Sequence, residues 1–332
     1  MSTAPSTPAG RAATGALVIA TRGSPLALAQ AGLVRDALTA AHPGLAVSTA
    51  VIRTMGDALL DRPLAEIGGK GLFTKEIEDA LLDGRADIAV HSMKDVPTAL
   101  PPGLAIPCVM EREDVRDVLI ARDPGVKRLD DLPKGARIGT ASPRRAAQAL
   151  ARRPDLGLVG LRGNVGTRID KIRSGAADAT FLALAGLKRL GLAGDFGTVL
   201  STDDMLPAVA QGAIGIECRA DDPRVAGLLA PLDHASSRRC VTAERALLAA
   251  LEGSCRTPIA ALATVAGPDG AGTTLDLRAM IALPDGRRRV DARLFGTDPA
   301  AVGASAGARL RADAGPEFFV ALASAPPFGA AR

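Results

Sequence analysis

Ile19-Ala20-Thr21-Arg22-Gly23-Ser24-Pro25, near the N-terminus, returns in outline as Ile138-Gly139-Thr140-Ala141-Ser142-Pro143. Each stretch leaves an apolar run through a threonine and enters a serine–proline pair. Serine is a good helix N-cap because its oxygen accepts a backbone N–H, and proline suits the first helical position, where its missing N–H loses nothing. Each stretch therefore predicts a strand followed at once by a helix: 17–21 then 26–40, and 137–140 then 144–150. Two α/β domains of similar design, facing each other across a cleft, would explain the recurrence; chance repetition of one short match is the alternative.

The surrounding sequence continues the alternation. A second strand is expected near 47–54. The glycine-rich turn Gly68-Gly69-Lys70-Gly71 then leads into a helix over 72–82, with Phe73, Ile77, Ala80 and Leu81 on one face and a stop at Gly84. A strand over 86–91 follows, running into Ser92-Met93-Lys94-Asp95-Val96-Pro97. Strands alternating with helices predict a mostly parallel sheet. From about Arg239 the character changes: a helix over 241–251, strands over 258–265, 275–283 and 289–295, and a helix over 299–312 predict a small α+β unit with a three-stranded sheet. Residues 1–14 and 325–332, rich in Ala, Pro and Ser, are expected to be a disordered leader and tail.

Composition narrows the function. The 332 residues suffice for two or three domains, and aromatics make up 2% with no Trp or Tyr, so the core must be built from Ala, Val, Leu and Ile. The net charge of +4, from 40 basic and 36 acidic residues, leaves anion binding to local clusters. Nucleic acid is not an expected partner, because the aromatic stacking platforms are missing. No apolar run approaches the roughly 18 to 20 residues of a membrane span. The N-terminus does not read as a signal peptide, and Cys108, Cys218, Cys240 and Cys255 lack CxxC spacing. With only three scattered histidines no metal site is expected, and the reading is of a reducing, cytoplasmic protein.

In an open α/β sheet, ligands bind beyond the carboxyl ends of the strands. Three such ends carry polar groups here: Arg22 and Ser24; Ser92, Lys94 and Asp95; Thr140, Ser142, Arg144 and Arg145. Two of them also present a helix N-terminus, which attracts anions. Leu161-Arg162-Gly163-Asn164-Val165-Gly166-Thr167-Arg168 adds a glycine-bearing loop between two arginines. Taken singly, each is better explained as surface charge or a turn ion pair worth at most about 1 kcal/mol. Their convergence points to a ligand with many anionic oxygens. Asp95, a carboxylate among cations, is suited to hold ring N–H groups and a developing cation. Cys255 follows Gly253-Ser254 in a loop, whereas Cys108 and Cys218 sit in apolar runs and read as buried thiols.

Gly68–Phe73, Ala86–Pro97, Leu161–Arg168, Ala183–Gly191, Leu206–Glu217 and Glu244–Ala260 together resemble the porphobilinogen deaminase (hydroxymethylbilane synthase) family, over nearly the whole of 17–295. The resemblance implies two similar periplasmic-binding-protein-like α/β domains, 15–112 with 213–232 and 113–212, and a third domain over 233–324 that carries the cofactor cysteine. It implies a monomeric enzyme that joins four porphobilinogen units head to tail, with loss of ammonia, on a covalent dipyrromethane made from the substrate. The thioether maps onto Cys255 and the catalytic aspartate onto Asp95, assisted by Lys94. Ser92, Lys94, Thr140, Ser142, Arg144, Arg145 and Gln211 map onto cofactor-binding positions. Arg22, Ser24, Lys70, Arg162, Arg168 and Arg189 map onto positions that bind the substrate's acetate and propionate groups. Ala141 and Pro143 stand where the family often has Ser and Leu, Ser254 where Gly is frequent, and Glu66 where some members have Lys. A solute- or effector-binding domain of the same architecture is the rival reading; it would call for an export signal or a DNA-binding module and would have no need of Cys255.

Overall fold

Seven consecutive residues, Ala16–Arg22, form β1, with Leu17, Ile19, Ala20 and Thr21 fully buried. They belong to a computed structural model that describes residues 16–54, 74–194, 197–253, 257–266 and 273–326. Lys70 with its glycine turn, Glu66, Ser254 and Cys255, the 1–14 leader and residues 327–332 lie outside the described residues.

The first sheet has the order β2-β1-β3-β10-β4, from β1, β2 (Ala46–Ile52), β3 (Ile88–Ser92), β4 (Leu104–Val109) and β10 (Ile214–Arg219). The second has the order β7-β6-β8-β5-β9, from β5 (Asp117–Ala121), β6 (Arg137–Gly139), β7 (Gly157–Val159), β8 (Ala179–Ala183) and β9 (Thr198–Val199). Neither sheet is wholly parallel. β10 runs against β3 and β4, and β5 against β8 and β9. The cause is the path of the chain, which crosses between the sheets near 110–116 and again near 207–213. The strand after each crossing begins where its neighbour ends: Ile214 opposite Ser92, and Asp117 opposite Ala183.

Helix starts follow the recurrent device. Ser24 Oγ accepts from Ala27 N at 3.2 Å and opens α1 (Pro25–Ala41). Ser142 Oγ accepts from Arg145 N at 3.4 Å and opens α3 (Pro143–Arg152). Between them α2 (Lys75–Leu82) lays Ile77, Ala80 and Leu81 on the first sheet. The 161–168 run is only half a loop, because Asn164 Oδ1 accepts from Thr167 N and starts α4 (Val165–Arg173). α5 (Leu184–Arg189) follows β8 directly, and α6 (Pro223–Leu229) follows β10.

The remaining unit is a helix, an antiparallel sheet and two helices: α7 (Ala235–Ala250), β11 (Ile259–Ala266), β12 (Thr274–Ala282), β13 (Arg289–Gly296), α8 (Pro299–Ala314) and α9 (Pro316–Ser324). α7 starts six residues before the expected 241, capped by His234, whose Nδ1 accepts from Ser237 N at 3.3 Å. Histidine is not among the favoured caps, so composition gave no sign of it. α9 was not expected; Gly315, at φ 71°, turns the chain and Phe318 is fully buried. Gly303 lets α8 approach α7, since a Cβ there would strike the Ala243 carbonyl. The apolar cluster of this unit also takes in Met93, Val96, Val209, Ala210 and Ala213, so the crossings and the end of β3 are part of one core with α7.

Candidate active site

β3 ends at Ser92 and passes into a single 3-10 turn, Met93–Asp95, whose Met93 is buried and whose Asp95 is exposed. Ser92 Oγ accepts from Gln30 Nε2 at 2.9 Å, which ties α1 to the strand end. Arg22, Ser24, Gln30, His91, Ser92 and Asp95 line one cavity of about 80 Å³. Lys94 is half-buried. Loss of solvent pushes its ammonium down to about 8, against the attraction of Asp95 and with repulsion from Arg145 and Arg144.

Asp117, at the start of β5, is fully buried and takes two arginines at once. Arg145 Nη2 donates to Oδ1 at 2.7 Å, and Arg144 Nη2 donates to Oδ2 at 2.8 Å. Burial alone would raise this carboxyl, but the two guanidiniums outweigh it and hold it well below the usual carboxylate range. Gln211, on the second crossing, donates through Nε2 to Asp117 Oδ1 at 3.0 Å and to the Val115 carbonyl at 2.7 Å. Arg144 also donates to the Leu206 carbonyl at 2.6 Å. Thr140 Oγ1 accepts from Ser142 N at 3.1 Å, shaping the start of α3. Two cations share one carboxylate here, so a net positive charge stays in a buried place. Such a charge calls for an anion.

Arg168, on α4, donates through Nε to the Gly163 carbonyl at 2.8 Å. Burial brings its guanidinium down to about 10, with repulsion from Arg145, attraction to Asp95 and repulsion from Arg162. The cations of the second lobe thus share one electrostatic neighbourhood with the exposed carboxylate of the first. Arg189 is placed elsewhere: its Nη2 donates to the Gly212 carbonyl at 2.6 Å on the second crossing, beside the Lys188–Glu113 ion pair.

Three features escaped the sequence reading. Asp117 leaves one sign, a lone carboxylate opening the apolar run Val118-Leu119-Ile120. Gln30 leaves none. His91 and Glu217, both buried and 2.8 Å apart, join β3 to β10, and burial raises the nearby Glu78 carboxyl. Among the described residues no cluster could hold a metal ion, and no helix is long and apolar enough to cross a membrane.

A two-lobed α/β protein with cations from both lobes in the field of one exposed carboxylate has the charge arrangement of a protein that binds anionic ligands. The comparisons with known proteins go further. Residues 17–227 match a family model described as porphobilinogen deaminase, dipyromethane cofactor binding domain, and residues 238–312 match porphobilinogen deaminase, C-terminal domain. The chain is 52% identical over 312 residues to the chloroplastic porphobilinogen deaminase of Oryza sativa subsp. japonica, covering 92% of this chain and 86% of that one. It is 54% identical over 306 residues to porphobilinogen deaminase of Paracoccus denitrificans (strain Pd 1222), covering 91% and 95%. It belongs to the porphobilinogen deaminase family. The periplasmic aliphatic sulphonate binding protein SsuA from Escherichia coli aligns with a TM-score of 0.38 at 15% identity, over 72% of this chain and 71% of that one.

The residues present fit the dipyrromethane that the family carries. Such a group brings two pyrrole N–H donors and four carboxylates. Arg145 Nε and Gln211 Oε1 are buried without a hydrogen-bond partner among the described residues. Lys94, Arg145, Arg162 and Arg168 would face the carboxylates, and Asp95 and Gln211 Oε1 would supply acceptors for the ring N–H groups. Cys255 itself is outside the described residues. Gly253 and Thr257 bracket it between α7 and β11, and a Cβ at Gly253 would strike Ile259.

Proposed function

We propose that this chain condenses four porphobilinogen molecules head to tail into hydroxymethylbilane, releasing ammonia at each addition, on a dipyrromethane held by Cys255 through a thioether. One observation carries the reading: Lys94 and Asp95 from the first lobe stand in the same field as Arg145 and Arg168 from the second. The bound dipyrromethane supplies the nucleophilic pyrrole carbon from which the chain grows.

The protein's own residues do the rest. Asp95, exposed at the end of its turn, accepts the pyrrole N–H of the incoming substrate and stabilises the positive charge that develops as ammonia leaves. Lys94, Arg145, Arg162 and Arg168 hold acetate and propionate groups, the arginines by two-pronged pairing. Arg22, Ser24 and Lys70 complete the substrate side together with Arg189, which also grips the second crossing, and Ser92 serves the cofactor. Ser142 and Thr140 accept cap bonds and keep a hydroxyl proton to donate. Each addition brings two more carboxylates, which is why the cleft holds more cations than its carboxylates neutralise. We read domains at 15–112 with 213–232, 113–212 and 233–324, and a cytoplasmic monomer that engages neither nucleic acid nor membrane.

Intact mass together with product formation tests the reading. The purified chain should be heavier than its sequence by one dipyrromethane, and should turn over porphobilinogen to hydroxymethylbilane. Asp95→Asn should keep the added mass and lose at least a hundredfold in turnover. A chain at sequence mass that makes no product would end the proposal.

A further inference from the structure

Asp95 sits on a turn with little structure of its own. Met93 N donates to the Ala213 carbonyl at 3.0 Å and Val96 N to the Met93 carbonyl at 3.3 Å; Pro97 has no N–H to give. The three carbonyls that follow Asp95 all point to one side chain from another unit. Arg245 on α7 donates to Val96 O at 3.0 Å through Nη1, and through Nη2 to Pro97 O at 2.6 Å and Thr98 O at 3.4 Å. Among the described residues no carboxylate pairs with it, and burial lowers its guanidinium pKa. A charged donor is a costly choice where a neutral one would tie two segments together. What the guanidinium adds is strength and a fixed fork that reaches several carbonyls at once.

The preceding residue fixes the helix itself. Glu244 is fully buried and accepts from Arg112 at 2.6 and 3.0 Å, from Ala210 N at 2.6 Å and from Ala263 N at 2.8 Å. Its carboxylate anchors α7 to both crossings and to β11. Five residues beyond Arg245, roughly 8 Å along the axis, α7 ends at Ala250 and the chain runs on to the cofactor cysteine. Met93 and Val96, on either side of Asp95, pack into the core that α7 shares.

We propose that Arg245 is a positioning residue that sets the Asp95 turn relative to the segment carrying the cofactor. One helix thereby grips the turn that carries Asp95 and, past its C-terminal end, leads in sequence to Cys255. The inference rests on the functional reading above and adds a residue to it. Because Arg245 acts through the backbone of 96–98, its loss should change how Asp95 meets the reacting centre and leave carboxylate binding intact.

The test compares Arg245→Gln and Arg245→Lys with Arg239→Gln. Arg239 lies on the same helix and also grips two carbonyls, Thr273 at 2.7 Å and Thr297 at 2.8 Å, away from the turn. Intact mass, thermal midpoint, kcat and KM for porphobilinogen are measured on each. Arg245→Gln should keep the covalent mass, hold KM within about threefold and lose at least tenfold in kcat, with Arg245→Lys recovering part of the loss. Arg239→Gln should lower the midpoint comparably and leave kcat within twofold. The proposal is overturned if Arg245→Gln keeps kcat within twofold, if its loss merely tracks missing cofactor mass, or if Arg239→Gln loses as much. A wild-type chain without added mass or product would instead overturn the functional reading.

Discussion

Arg145 and Asp117 are joined by a buried bond of 2.7 Å, and the same carboxylate holds Arg144 at 2.8 Å, so one carboxylate in the second lobe orients both guanidiniums. Removing the carboxylate leaves two buried guanidiniums without their counter-ion. We expect Asp117→Asn to lower stability by roughly 3–5 kcal/mol, the range for breaking a buried pair from one side. The pH dependence has a definite sign. The folded carboxyl is depressed, so its contribution is full above the unfolded value of about 4, fades as pH falls below it and is gone only below the folded value. Urea midpoints from pH 3 to 7 should therefore separate wild type from Asp117→Asn most at pH 7 and least at pH 3. A constant difference would refute the assignment.

Lys94 has the opposite sense. Its folded pKa, about 8, lies below the ordinary 10.5, so keeping it charged opposes folding at every pH below about 8. The opposition fades as pH rises from 8 to 10.5. Lys94→Met should stabilise the cofactor-free chain at pH 7 by roughly 1–3 kcal/mol, with the gain vanishing above pH 10.5, while attachment of the cofactor becomes slower. Denaturation of apoprotein prepared without porphobilinogen, repeated at pH 7 and pH 10.5, reads this directly. Equal or lower stability of the variant at pH 7 would show that the cleft does not strain its lysine.

Much of this was legible in the sequence, for reasons that differ by element. The two serine–proline starts carry local chemistry, so both helices fall within two residues of their expected ends. The antiparallel sense of β5 and β10 is a consequence of where the chain crosses, which no window of sequence contains. Lys94, Asp95, Arg145 and Arg168 were marked by position at strand and helix ends. Asp117 and Gln30 were not, because their importance lies in what they hold across 28 and 62 residues of chain.

The thiols differ in reactivity by environment. Burial pushes Cys108 up to about 12 and Cys218 up to about 11, and Cys240 is buried in the core shared with α7. A thiol that stays protonated at neutral pH is a poor nucleophile. Cys255→Ala should therefore abolish the covalent dipyrromethane, whereas alanine at Cys108, Cys218 or Cys240 should leave it attached. Mass spectrometry of the four single variants decides the matter, and added mass in Cys255→Ala would refute the attachment site.

The arginines should not behave alike. Arg144 commits both end nitrogens to protein, Nη2 to Asp117 and Nη1 to the Leu206 carbonyl, so Arg144→Leu should act mainly on stability. Arg144 and Arg145 alike keep a buried Nε without a partner among the described residues, so the contrast lies in the end groups: Arg145 bonds Asp117 through Nη2, and Arg168 shares a field with Asp95 and Arg162. Losing a charge-assisted pair in a partly desolvated cleft costs roughly 1.5–3 kcal/mol, about tenfold to over a hundredfold in binding or rate. Arg→Leu at 145, 162 or 168 should accordingly stall elongation, leaving enzyme with one, two or three added pyrroles, because each addition brings two more carboxylates to be held. Arg→Lys should recover only part, since an ammonium supplies the charge without the two-pronged geometry. Native mass spectrometry after a short substrate pulse distinguishes the cases one variant at a time. If Arg145→Leu, Arg162→Leu and Arg168→Leu all elongate at the wild-type rate with no stalled species, these cations are not what holds the growing chain.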